Sequence, residues 1–407
     1  MMRSDGAKVF PVLSWSLYDL ANQFFALNVV SLYFPRWLTL EKNTPEIFYS
    51  LTFGLSMLFV AICAPFLGTM SDRKGKHKIF LIILTVISVI FTAALGISNN
   101  VFIALVFFAI ANFGCQEAII FYNALMVDIA PRGKIGLVSG LGRMFGYTGA
   151  IVALMVTKPV VMKAGYQPAF LVTAALFLVF ALPCMIFVKE KRREERPSAG
   201  IFSGENFSSV LEDMKKICRV KGFKYFLLAS FSVICAVSAT MLFMGVYASK
   251  VFALAENKII DLIAFSTVFA IIGSIVSGYI SDIVGHRKSL MGVFLLWGVC
   301  LIGAGVLKAP FHWAIGALIG LCLGATWVIL RAVVVRLIPP ENIGKAFALF
   351  NLVGYSAGIV GPMFWGLNIL YLSRLGATGY RLGLLSLIIF IVMGIIFLQR
   401  MRTEDQK

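Results

Sequence analysis

"GTMSDRKGKHK", Gly68 to Lys78, separates two long apolar runs, and "GYISDIVGHRK", Gly278 to Lys288, separates two more much later in the chain. Both read Gly-x-x-Ser-Asp-x-x-Gly and then bases. A second correspondence joins "VDIAPRGKIGL", Val127 to Leu137, with "VRLIPPENIGK", Val335 to Lys345, and continues to Gly146-Tyr147 against Gly354-Tyr355. Matching segments at equivalent places mark an internal repeat, so the chain is built as two like halves.

The composition decides what the halves are made of. Of 407 residues, 60% are hydrophobic and 14% charged, against about one quarter charged in a soluble domain. A hydrocarbon core of about 30 Å takes about 20 apolar residues as helix. Twelve such runs can be cut, over 13–38, 47–70, 79–97, 101–127, 136–156, 168–188, 223–249, 259–280, 289–307, 311–335, 345–370 and 381–399. The expected fold is an all-α integral membrane protein of twelve transmembrane helices in two six-helix parallel repeats, with a substrate site between them near mid-depth. The expected domains are 1–188, a cytoplasmic linker over 189–222, and 223–407. Val210, Leu211, Met214 and Ile217 fall opposite Glu212, Lys215 and Lys216, which suits an amphipathic linker helix at the membrane interface.

The net charge of +17 is a matter of topology rather than nucleic-acid binding. Of the 36 Lys and Arg, 25 fall on the side of the two termini, nine on the other side and two, Arg143 and Arg331, inside runs. The positive-inside rule puts both termini in the cytoplasm, in the inner membrane if the source is bacterial. The seven cysteines form no Cys-x-x-Cys pair, so neither a disulfide framework nor a metal site is expected. Nucleotide-binding glycine loops, metal-spaced histidines and nucleophile elbows are absent from the sequence, so neither an enzyme nor a cofactor is expected.

Gly68, Asp72, Arg73 and Gly75, with the bases after them, resemble the signature loop of the major facilitator superfamily, and the twelve-run layout fits that fold along almost the whole chain. "SWSLYDLANQFF" (Ser14 to Phe25), "FYNALMVDIA" (Phe121 to Ala130) and "VSGLGRMFGYTGA" (Val138 to Ala150) are similar to the subfamily of autophagy-linked vacuolar amino-acid effluxers and their bacterial relatives. That resemblance implies a monomeric transporter whose runs one, four, seven and ten line a central cavity.

In the signature loop the glycines are expected to let the chain turn as it leaves a helix. By the pseudo-symmetry, Asp72 could cap the start of run eleven near Gly344, and Asp282 could face the start of run five near Gly136. Gly68, Asp72, Arg73 and Gly75, with Gly278, Asp282, Gly285 and Arg287, are thus the candidate cytoplasmic gate. Gly142-x-x-x-Gly146 and "GYSAGIVGPMFWG" (Gly354 to Gly366) mark close helix contacts and, at the proline, a hinge.

Polar residues within the runs are costly and read as functional candidates. Asp19, Arg143 and Arg331 lie on the order of 10 Å inside the membrane, Glu117 somewhat deeper. Asp19, Asn22 and Gln23 share a stripe of run one; Asn123 lies on run four, opposite Arg331 in the repeat alignment. Asp19 either locks an arginine in place or carries a charge used in coupling. The fork of Arg331 suits a carboxylate or phosphate, with Trp327 as a flat neighbour one turn earlier. The substrate and coupling candidates are Asp19, Asn22, Gln23, Glu117, Asn123, Arg143, Trp327 and Arg331. The expected function is secondary active transport of a small organic solute, an amino acid or other carboxylate-bearing metabolite first, with protons as the candidate coupling ion. Alternatives are a proton-coupled drug or sugar exporter and a transporter-shaped nutrient sensor.

The charge asymmetry yields the first prediction. Single cysteines placed in 71–78, 128–135, 189–222, 283–288 or 336–344 of a cysteine-free variant should resist impermeant thiol reagents in intact cells. Labelling at 189–222 would reverse the topology.

Overall fold

A computed structural model of the protein describes residues 6–44, 46–191, 212–254, 256–308 and 310–401. Among the described residues the regular structure is helical, and eleven helices are long and apolar enough to cross a membrane. In chain order the membrane helices are α1 (Gly6–Phe24), α2 (Glu46–Lys74), α3 (His77–Leu95), α4 (Val101–Ile129), α5 (Ile135–Ala164) and α6 (Tyr166–Phe187). After the linker come α7 (Phe223–Phe252), α8 (Glu256–Val284), α9 (His286–Val306), α10 (His312–Leu337), α11 (Ile343–Leu372) and α12 (Ala377–Arg400). The chain beyond α1 stays helical but widens to π-type winding over Phe25–Tyr33, which completes a twelfth crossing. The Asn28 amide is wholly buried there, donating to Thr173 Oγ1 and accepting from Thr157 Oγ1.

Inside a bilayer each backbone group needs a partner within its own segment, which is why these runs are helices. Large apolar side chains such as Leu55, Phe59, Ile83 and Ile90 point outward, where lipid tails rather than water meet them. The most enclosed spans are α4, α7 and α10.

The structure divides into two compact units. The first comprises 1–133, 141–214 and 340–348; the second comprises 134–140, 215–339 and 349–407. The opening turns of α5 and α11 each group with the other half of the chain, and the linker divides after Met214. Within the first unit α1 packs on α6, α2 on α4, α3 on α4 and α3 on α6; within the second α7 packs on α12, α8 on α10, α9 on α10 and α9 on α12. Shifting every helix number by six turns the first set into the second, so the repeat seen in the loops extends to the packing.

Sequence expectation and structure part at the glycines. Gly68 and Gly278 lie inside α2 and α8, and the chain turns instead at Gly75 and Gly285, whose φ values of +60° and +96° favour glycine. Of the small residues in Gly354 to Gly366, Gly361 faces the Cys235 backbone of α7, whereas Gly354, Gly358 and Gly366 face open space. Helix α11 runs unbroken through Pro362. In the linker, residues 212–218 are helical, with Met214 and Ile217 buried by protein rather than turned to a membrane surface. Val210 and Leu211 lie outside the described residues.

On α5 the small residues do make a groove. A Cβ at Gly142 would stand 2.6 Å from the Trp15 ring, and one at Gly149 would stand 2.6 Å from the Leu20 carbonyl oxygen. Below them Leu20, Phe24 and Ala153 form a buried cluster. Gly149→Ala should therefore destabilise the protein by about 1–3 kcal/mol, the usual cost of overpacking. Gly54→Ala, at a helical glycine with nothing within 4 Å, should be neutral or slightly stabilising. Thermal melts of the two purified variants against wild type measure the difference.

Candidate functional site

The membrane-embedded candidates of the first unit gather around α1. Trp15 donates from Nε1 to the Tyr122 carbonyl at 2.8 Å and stacks on the Tyr122 ring at 4.4 Å. Tyr18 also stacks on Tyr122, at 5.0 Å, and shares a hydrogen bond with Thr85 Oγ1. Both are wholly buried, so they build wall rather than contact surface. One turn on, Asp19 reaches α5, where Arg143 Nη1 lies 3.5 Å from its Oδ1. Gly146 makes that approach possible, because a Cβ there would stand 3.2 Å from the Asp19 carboxyl carbon. The guanidinium also lies 5.8 Å from the Tyr147 ring centre.

The amides divide among different neighbours. Asn22 accepts a weak bond from the Cys115 thiol at 3.7 Å, Gln23 is half-buried, and Asn123 is buried on α4. Asn112, also on α4, donates to Ser56 Oγ on α2 at 2.8 Å. Glu117 is the exception among the acids. It is fully buried on α4, and neither carboxyl oxygen has a hydrogen-bond partner.

In the second unit Arg331 is buried on α10, with Nε donating to Ser139 Oγ at 3.1 Å and Nη2 to the Ser139 carbonyl at 2.6 Å. The Ser139 hydroxyl in turn donates to the Val328 carbonyl at 3.0 Å. Trp327 is half-buried. The guanidinium expected to meet substrate is thus engaged by α5 backbone and hydroxyl, a partner that no charge or period in the sequence signalled.

The second group of candidates forms two like clamps at helix starts. In the first unit the Asp72 carboxylate accepts the Gly344 and Lys345 backbone N–H groups at 2.9 and 2.8 Å. In the second, Asp282 accepts those of Gly136 and Leu137, both at 2.8 Å. Each carboxylate thereby satisfies two of the four N–H groups a helix start leaves open and meets the positive end of its dipole. Gly68 against Gly344, and Gly278 against Gly136, lie at backbone contact with no room for a Cβ, which is the reason for glycine at those places.

Around each clamp the repeat continues in residues the sequence reading passed over. Ser71 Oγ donates to the Gly68 carbonyl and lies 3.0 Å from His77 Nδ1; Ser281 Oγ donates to the Gly278 carbonyl and lies 3.2 Å from His286 Nδ1. Both lie in the repeated motif, the serine within Gly-x-x-Ser-Asp and the histidine among the bases after it, but the motif by itself gives neither a role. His77 Nε2 also faces Asp72 Oδ1 at 3.4 Å. Glu190 receives the His77 and Lys78 N–H groups at the start of α3. The gate arginines part company: Arg287 caps the end of α12 through the Leu398 and Gln399 carbonyls at 3.3 and 3.1 Å, whereas Arg73 lies 3.4 Å from the linker carboxylate of Asp213. Among the described residues no group of acids, histidines and cysteines is suited to holding a metal ion.

Comparison with known proteins agrees with this architecture. The chain is 24% identical over 408 residues to the MFS-type transporter YxiO of Bacillus subtilis (strain 168), covering 95% of this chain and 93% of that protein. It is 25% identical over 362 residues to the multidrug resistance protein MdtG of Enterobacter lignolyticus (strain SCF1), covering 86% and 82%. Its fold superposes on the MFS transporter FucP in the outward conformation with a TM-score of 0.74 at 17% identity, over 98% of this chain and all of that one. The human organic anion transporter MFSD10 gives 0.75 at 13% identity, over 97% and 100%. The family model of the Major Facilitator Superfamily matches residues 20–362 and 258–407, so the chain belongs to that superfamily of multi-pass membrane transporters.

Proposed function

We propose that this protein is a proton-coupled secondary transporter that moves a small organic solute by alternating access, in a bacterial inner membrane with both termini cytoplasmic. The observation that carries the reading is the Asp19–Arg143 ion pair, held between α1 and α5 within the membrane span. An acid and a base at that depth are kept only where their charges are used or balanced. Protonation of Asp19 would dissolve the pair and leave the guanidinium for an anionic or zwitterionic solute; return of the pair would expel both. Glu117, buried without a donor, supplies a second acid able to take and release a proton.

For the substrate, the Arg143 guanidinium favours a carboxylate-bearing metabolite, and the resemblance to amino-acid effluxers makes an amino acid the first of these. A second reading, export of drug-like or sugar-like solutes, draws support from the similarity to MdtG and from Arg331 being bound to Ser139. A thermal-shift screen of the purified protein against amino acids, carboxylates, sugars and cationic drugs, followed by flux of the hit in proteoliposomes, separates them. A ligand that stabilises the protein but shows no flux would favour the nutrient sensor and end the transport reading.

With that substrate, Asp19→Asn should lose at least about tenfold in accumulation driven by an imposed pH gradient, while substrate counterflow persists. Wild-type accumulation would leave Asp19 a structural partner of Arg143 only. Glu117→Gln keeps the shape and removes the titration; if Glu117 carries the proton, its accumulation falls while insertion is unchanged.

The clamps give a separate expectation. Asp72→Asn and Asp282→Asn each remove a charge from a helix start, so each should slow flux by about tenfold, given 1–2 kcal/mol for such a contact, with ligand binding retained. Unaltered flux in both would remove the clamps from the transport cycle.

A further inference from the structure

The linker enters the first clamp. On the short helix over 212–218, Glu212, Lys215 and Lys216 are exposed while Met214 and Ile217 are buried. Asp213 sits at the margin of that buried face. Its Oδ2 accepts from Lys345 Nζ at 3.0 Å and from Arg73 Nη2 at 3.4 Å. Lys345 is the residue whose backbone N–H is held by Asp72, and Arg73 is the residue after Asp72. One linker carboxylate thus joins the end of α2 to the first turn of α11, the same two elements that the Asp72 clamp joins.

The energetics favour a specific contact over a chance one. The Lys345 side chain is only 7% exposed, and an ammonium that deeply covered is costly without a counter-charge. Burial by itself would push the Asp213 carboxyl up, but the Lys345 hydrogen bond and the charges of Lys345 and Arg73 outweigh it and hold the carboxyl below its usual range. A group depressed in this way contributes above its ordinary pKa and is lost only as pH falls through the depressed value. The contact is therefore intact throughout roughly pH 6–8, well above the carboxylate range.

We propose that Asp213 is a positioning residue of the transport cycle, strapping the linker helix over the Asp72 clamp so that the first turn of α11 stays on α2 until the clamp opens. The strap rests on the alternating-access reading, since it matters only if that turn leaves α2 during the cycle. It makes the linker part of the moving machinery: a change in the linker is felt at the clamp through one carboxylate and two basic side chains.

The test follows clamp opening without needing the substrate. Ala348, on the first turns of α11, is fully buried, and its Cβ is a close neighbour of Gly68. In a cysteine-free background carrying Ala348→Cys, alkylation by N-ethylmaleimide reports exposure of that face. Asp213→Asn should speed alkylation about 3- to 10-fold, as expected for loss of one charge-assisted contact that is partly solvent-screened. Asp213→Glu should restore most of the wild-type rate, and the ratio should stay flat over roughly pH 6–8. Should Asp213→Asn fail to insert, Lys345→Met breaks the strap from its other end and should accelerate alkylation likewise. An unchanged rate in the inserted variant overturns the strap, as does failure of Asp213→Glu to slow it. Absence of flux in the wild-type protein would instead overturn the transport reading and leave the alkylation comparison standing.

Discussion

A carboxylate seated on the open N–H groups of a helix start is the contact on which the rest of this architecture depends. An α-helix begins with four N–H groups that its own turns cannot satisfy, and in α5 and α11 two of these go to an aspartate of the repeated loop, Asp282 and Asp72 respectively. The contact is charge-assisted and directional, with both carboxylate oxygens used. It also demands close backbone approach, which Gly68, Gly136, Gly278 and Gly344 permit. The opening turns of α5 and α11 consequently group with the half that supplies their aspartate. Such a contact is strong while made and leaves nothing covalent to break.

Within the membrane span the same rule of satisfied polar groups takes another form. Arg143 finds a carboxylate; Arg331 finds a serine hydroxyl and carbonyl; Trp15 finds the Tyr122 carbonyl; Asn28 finds two threonines. Burial of these groups without partners would cost several kcal/mol each. Among the described residues of this layer, Glu117 is the acid with both oxygens unpartnered, and that contrast is the physical ground for proposing it as a proton carrier. Asp19 and Glu117 are thus two acids in unlike surroundings, one balanced by a guanidinium and the other not.

Placing the clamp and the linker together changes what the chain between the two halves is for. A solvated tether needs no buried residues, yet Met214 and Ile217 are covered and Asp213 serves two basic side chains. Basic residues of the repeated loops have local partners as well: Arg287 and Lys78 cap the ends of α12 and α6, and Arg73 meets the linker.

The sequence by itself determined the helical membrane fold, the two-fold repeat and the identity of the clamp aspartates. Twenty-residue apolar runs have one satisfactory backbone solution in lipid, and a motif occurring twice at equivalent places declares its own symmetry. It also carried the presence of Asp19, Glu117, Arg143 and Arg331 in the membrane layer, since charges stand out against so apolar a chain. Only the tertiary structure decided which of these meet. Asp19 joins Arg143 because Gly146 leaves room, Arg331 turns to Ser139, and Gly68 serves a contact rather than a turn. Partners of this kind are separated by long stretches of chain, and a neutral serine or a glycine carries no charge or periodic signal that would reveal them. The Asp213 strap was illegible for the same reason: one acid in a charged linker looks like any other until the fold sets it against Lys345 and Arg73.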